Sequence, residues 1–140
     1  GYEWMIGKWR AQDDEGRTYE LEYKPILDMH AAQASVKIGD FQYVGMILSL
    51  PNSQEIVDFG ADSTGGIWKS TWEQDNSDAL NRIEYTRPDG STVKMQHVFV
   101  KVSSEEMKVR QYRVETDGTR GARSGSDLTF KRQKPAAPAK

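Results

Sequence analysis

Apolar and polar residues alternate with a period of two along most of the chain, the pattern of strands that bury one face. In residues 17–24, Tyr19, Leu21 and Tyr23 fall on one face, against Thr18, Glu20, Glu22 and Lys24 on the other. In 31–38, Ala32, Ala34, Val36 and Ile38 share a face, and in 41–50 so do Val44, Met46, Leu48 and Leu50. Val57 and Phe59 pair in this way in 55–60, Trp68 and Trp72 in 67–74, and Asn81, Ile83 and Tyr85 in 80–87. The last run, 127–132, is expected to point Leu128 and Phe130 inward.

Two runs leave their facing open. Residues 92–102 carry Val93, Met95, His97 and Phe99 on one face and Val98, Val100 and Val102 on the other. Residues 107–115 are half charged on either face. A bulge is expected in at least one of them, because a one-residue slip exchanges the faces. Between the runs stand turn formers such as Asp13-Asp14-Glu15-Gly16, Gly39-Asp40, Pro88-Asp89-Gly90 and Thr116-Asp117-Gly118. Their backbone preferences suit tight reversals.

About ten strands on short connections imply a meander of hairpins. Such a meander closes most readily into a single antiparallel up-and-down β-barrel, which leaves no exposed edges. A β-sandwich is the alternative. It needs long crossovers, and 116–126 is the one candidate. No amphipathic helix of useful length is visible, although residues 2–6 can form one short turn. Residues 1–133 are therefore read as one barrel domain. The Pro/Ala segment 134–140 is read as a disordered tail.

The chain has 140 residues, enough for one core without covalent staples. A formal net charge of -2 argues against nucleic acid or anionic membrane as a partner, since both need a basic excess. No cysteine is present, so disulfides, thiolate metal sites and cysteine nucleophiles drop out. No apolar run approaches the length of a membrane span. The start at Gly1-Tyr2, directly beside the first motif, reads as a trimmed or mature N-terminus.

That first motif is Trp4-Met5-Ile6-Gly7-Lys8-Trp9. It resembles the Trp-x-x-Gly-x-Trp opening of lipocalin-like (calycin) barrels, which nitrobindins share. The chain is most similar to the DUF1579-like group, bacterial lipocalin-like domains of unknown function, many of them secreted. Gly45, the Asp62-Ser63-Thr64-Gly65-Gly66 turn leading to Trp72, and Pro88-Asp89-Gly90-Ser91 echo the same group. The resemblance implies a calycin-like barrel from Tyr2 to Arg132 and a periplasmic or secreted setting. It also implies that Gly7 turns the chain into the first strand and Trp9 fills the closed end. A basic residue of the last strand, Arg132 or Lys131, would stack on that ring.

Nitrobindins hold haem through a histidine near the C-terminal end. Here the histidines are His30 and His97, with none beyond, so the ligand haem iron requires is missing. The same two residues lack zinc-site spacing. His97 reads either as a satisfied interior residue or as a proton donor lining a cavity. No Gly-x-Ser-x-Gly elbow or phosphate loop is present, and the carboxylate pairs Asp13/Asp14 and Glu105/Glu106 lie in turns. Tyr19, Tyr23, Trp68, Trp72 and Tyr85 fall on expected inward faces, where they either fill the barrel or line a pocket. Arg110 and Tyr112 share a face. They either grip a ligand carboxylate inside the barrel or form an outward, solvated strand.

The expected function is a binding module for a small apolar or amphipathic ligand, without catalysis. An interaction domain with a filled core and a weak isomerase- or cyclase-type enzyme are the alternatives. Ligand-lining candidates are Tyr23, Trp68, Trp72, Tyr85, His97, Arg110 and Tyr112. No cofactor, metal site or catalytic residue is assigned, and the sequence carries no signal for the oligomeric state.

Overall fold

The computed structural model describes residues 2–134, so the tail beyond Lys134 lies outside the described residues. A single 3-10 turn, Glu3–Met5, precedes eleven strands. These are β1 (Gly7–Gln12), β2 (Thr18–Ile26), β3 (Ala31–Ile38), β4 (Phe41–Ser49), β5 (Ile56–Asp62) and β6 (Ile67–Asp75). They continue as β7 (Asp78–Thr86), β8 (Thr92–Lys101), β9 (Glu106–Val114), β10 (Arg120–Arg123) and β11 (Leu128–Gln133). No helix among the described residues is long and apolar enough to cross a membrane.

From β1 to β9 each strand pairs antiparallel with the next. The far edge of β9 is then shared. Its first half takes β11 and its second half takes β10. Because β11 also pairs with β1, ten strands close a lipocalin-like barrel and β10 is an extra piece. The sandwich alternative falls away, and the segment 116–126 holds β10 rather than a crossover. The ladder irregularity also sits there, between Arg120 and Arg123. β8 and β9, one of which was expected to bulge, pair with each other, and with β7 and β11, in unbroken register, and the extra residue belongs to β10.

The N-terminal motif fastens the seam. Trp9 is 1% exposed, and its indole N–H donates to the Met5 carbonyl at 2.8 Å. The Arg132 guanidinium lies 4.2 Å above the ring, within cation–π range. Its Nε donates to the Ser104 carbonyl at 2.9 Å, and its Nη atoms donate to the carbonyls of Trp4 and Ile6. One arginine thus ties the last strand to the N-terminal turn and the β8–β9 connection. Of the two basic candidates it is Arg132 that stacks, while Lys131 faces solvent. Gly7 has φ +123, and a Cβ there would stand 2.6 Å from Arg132 Nη1, so the seam needs glycine twice over.

Inward faces follow the period-two reading in most strands. Leu21, Tyr23, Ala34, Trp72, Ala79, Phe99, Met107 and Phe130 join Trp9 in the core. In β8 the inward set is Val93, Met95, His97 and Phe99, as their pairing with Tyr85, Ile83, Asn81 and Ala79 requires. Val98 is buried on the outer wall, opposite Leu80 and Arg110.

β4 and β5 present a different result. Val44, Met46 and Leu48 do share a face, but it is the outer one, and they pair there with Ala61, Phe59 and Val57. Phe59 is 56% exposed. The inner face carries Tyr43, Gly45 and Ile47 opposite Asp62, Gly60 and Asp58. The register against β3 sets this parity, with inward Ala34 and Val36 opposite Gly45 and Tyr43. Tyr43 lies along the wall, over the space left by two glycines, to reach Asp58. The two glycines leave the room that this crowded inner layer needs.

Candidate functional site

The 3-10 turn does not plug the barrel end fully. Between it and the ends of β2–β6 lies an open pocket of about 390 Å³. Its deep walls are inward residues: Tyr23 and Pro25 of β2, Ala32 of β3, Ile47 and Ser49 of β4, Ile56 of β5 and Trp72 of β6. Tyr2, Glu3, Met5 and Ile6 form the side under the turn. Met29 and His30 of the β2–β3 hairpin complete the rim. In that hairpin Leu27, Asp28 and Met29 all have left-handed φ, between 53 and 67. Leu27 and Met29 are 67% and 72% exposed, and Met29 stands at the mouth.

A second hollow, about 500 Å³, lies on the outer wall of β5–β8. It is larger, but Lys69, Arg82, Glu84 and Lys94 stand along it and the hairpin residues Val114 and Gly118 bound it. Those side chains belong to the solvent face, so the end pocket is the better ligand site despite its smaller volume.

Below the end pocket the wall becomes polar. Asp58 is 8% exposed and accepts a hydrogen bond from the Tyr43 hydroxyl at 2.8 Å. Burial raises its carboxyl above the usual range, opposed in part by the Tyr43 hydroxyl and the nearby Trp72 indole. The Trp72 N–H is buried and does not complete a hydrogen bond of normal geometry. Burial and the Asp58 charge push the Tyr23 phenol up as well, and Tyr43 follows for the same reasons. Tyr23 meets Trp72 edge-on at 6.1 Å, and Tyr2 meets the same indole edge-on at 6.2 Å. Next along the wall, Asn81 donates to Ser70 Oγ at 2.8 Å.

The sequence candidates separate into four groups. Tyr23 and Trp72 line the end pocket. Trp68 and Tyr85 face inward at the opposite end, their rings tilted against each other at 4.4 Å, with Tyr43 against Trp68 at 5.7 Å. His97 faces inward beside Phe99 at 6.4 Å. Burial holds its pKa down to about 4, with Gln111 partly opposing, so the ring is neutral at physiological pH. Its Nε2 is buried without a hydrogen-bond partner.

Arg110 and Tyr112 lie on the outer wall. Arg110 Nε donates to Asp127 at 3.1 Å, and Tyr112 lies 4.5 Å beneath the Arg120 guanidinium. Their neighbours in β9, Val109 and Gln111, take the inward positions opposite Phe99 and His97. Of the two readings open for this pair the outward one holds, and a carboxylate grip inside the barrel is not formed. Asp58, Tyr43, Ile47 and Ala32 were missed as site residues. Glycines at 45 and 60, two residues from Tyr43 and Asp58 on the same strand face, were the available signal.

At the Trp68 end, Asp62 organises the β5–β6 turn. It accepts from the amides of Thr64 and Gly66, from the Thr64 hydroxyl, and from the Trp68 indole at 2.8 Å. Burial alone would raise its pKa, but these bonds outweigh that and bring it to about 2. A depressed carboxyl stabilises the fold above its unfolded pKa, and that gain is lost as pH falls toward the folded one. Asp62→Asn is therefore expected to lose about 2 kcal/mol of charge-dependent stability at pH 7. The deficit should fade between about pH 4 and pH 2, as urea unfolding of both proteins across pH will show.

Among the described residues no group of three or more His, Asp or Glu is placed to hold a metal ion. No family model matches the chain, and no curated protein is significantly similar to it.

Proposed function

We propose that this barrel is a binding module that holds a small apolar or amphipathic molecule in the pocket beneath the N-terminal turn. The pocket itself carries the reading. Its volume of about 390 Å³ falls in the range of small-molecule sites, and its walls are apolar and aromatic with few polar groups. Exposed Met29 adds an apolar side chain to the mouth. The Arg132–Trp9 stack supports the kinship with lipocalin-like barrels that the opening motif suggests.

The test uses N-phenyl-1-naphthylamine, a neutral probe that fluoresces in apolar surroundings. Wild type is expected to give a saturable rise in fluorescence. Ala32→Phe adds a ring into the pocket without removing core, and should weaken binding at least tenfold while its melting curve stays cooperative. Phe59→Ser, on the outer hollow, should bind as wild type does. Equal binding by Ala32→Phe and wild type would overturn the proposal.

A further inference from the structure

The pocket has an unequal charge character. None of its lining residues is lysine or arginine. A carboxylate ligand would find no arginine or lysine there. The depth of the pocket is unequal too. Asp58 stands opposite Ile47 in the β4–β5 ladder and two residues beyond Ile56, and both of those line the pocket. One inward step of about 7 Å thus separates the apolar lining from a carboxyl group.

That carboxyl is costly where it lies. It is 8% exposed, and among the described residues no cation stands against it. A buried acid without a partner ion is unfavourable. Yet Tyr43 donates to it at 2.8 Å, and the Trp72 N–H, itself buried and unpartnered, faces the same carboxyl. The Tyr43 hydrogen bond and the nearby Trp72 N–H offset only part of what burial does to the acid, so a cation beside it has the most to add. Three aromatic side chains, Tyr23, Tyr43 and Trp72, surround it, and Trp72 and Tyr23 meet edge-on. Tyr43 and Trp72 meet the acid through their polar edges, so a ligand head reaching it would find a carboxyl group set among aromatic rings with no cation of the protein's own.

We infer that the pocket selects organic amines, with an ammonium head seated against Asp58 among Tyr23, Tyr43 and Trp72 and an apolar tail running past Ile47 and Ala32 to the mouth. This rests on the binding reading above and names its ligand class. The ammonium supplies the charge partner that the fold withholds from Asp58. The step is reversible association, with no bond made or broken.

The experiment titrates wild type and Asp58→Asn with three eight-carbon ligands at pH 7 by calorimetry: octylammonium, octanol and octanoate. Wild type is expected to bind octylammonium at least tenfold tighter than octanol, and octanoate weakest. Asp58→Asn keeps an acceptor for Tyr43, so it should melt no lower than wild type. Its octylammonium affinity should fall at least tenfold while octanol is unchanged. If octylammonium binds wild type no better than octanol, or keeps its advantage in Asp58→Asn, amine selection is wrong and the binding module stands. If none of the three ligands binds and N-phenyl-1-naphthylamine also fails, both readings fall.

Discussion

Trp9→Ala is expected to lose about 4 kcal/mol of stability, within the range for deleting a buried Trp. The ring is 1% exposed and is, with Met107, one of the two largest fully buried side chains. Its removal acts through three links. The cavity loses contacts that neighbours cannot refill, because the strands around it are fixed by their ladders. The Met5 carbonyl loses its indole donor. Arg132 loses the surface it lies on at 4.2 Å, and with it the geometry that lets it bond the carbonyls of Trp4, Ile6 and Ser104. Since β11 meets β1 through only three register pairs, Lys8–Gln133 to Arg10–Lys131, this seam is the shortest ladder in barrel closure. Urea unfolding followed by far-UV signal measures the loss. A deficit below about 1.5 kcal/mol would mean that the β1–β11 seam holds without its tryptophan. Arg132→Lys keeps the charge but cannot serve three carbonyls from one planar fork, so it should lose part of the same stability.

The barrel was legible because its alternation is strong on most strands. Tyr19, Leu21 and Tyr23, or Asn81, Ile83 and Tyr85, have charged neighbours that leave one choice of face. The opening motif added the seam, down to the choice between Arg132 and Lys131. Legibility failed where both faces are apolar or where the inner face is polar. In β4 and β5 the outward Val44, Met46, Leu48, Val57 and Phe59 are more hydrophobic than the inward Tyr43, Gly45, Asp58 and Gly60. A pattern reader sees Asp58 between Val57 and Phe59 and sends it to solvent. The fold does the opposite, because what decides the face is the register inherited from β3, where Ala34 stands opposite Gly45 and Val36 opposite Tyr43. Once β3 buries Ala34, every residue of β4 and β5 is assigned. In β9 the mixture of charges on both faces hid the parity in the same way, and Arg110 and Tyr112 fall outside because Met107 and Val109 fall inside. A polar inner face at the cost of an apolar outer one is a departure from the usual partition, and such departures concentrate at functional sites.

The two glycines of that inner layer should respond differently to the same added methyl group, and the larger loss belongs to Gly60→Ala, about 3 kcal/mol. A Cβ at position 60 would lie 2.4 Å from the Val44 carbonyl oxygen and 2.6 Å from the Gly45 Cα, both backbone atoms of the paired strand. Neither can swing aside, so β4 and β5 must part locally and strain their ladder. At position 45 the obstacles are side chains: the Tyr43 hydroxyl at 2.1 Å and Asp58 Oδ1 at 2.6 Å. Tyr43 can leave, at the cost of its hydrogen bond to Asp58 and the partner that a buried carboxyl needs. Alanine also restricts the unfolded chain relative to glycine, worth up to about 1 kcal/mol in the opposite direction at both positions, so Gly45→Ala should cost less than Gly60→Ala only because its obstacles are side chains that can move. A double-mutant cycle with Tyr43→Ala separates the two cases. Coupling to Gly45→Ala is expected to exceed about 1 kcal/mol, since both changes break the same contact. Coupling to Gly60→Ala should be smaller, because its clash with the Val44 carbonyl survives the loss of the tyrosine. Equal coupling in the two cycles would show that the backbone relaxes around residue 60, and that Tyr43 alone decides what the inner wall can hold.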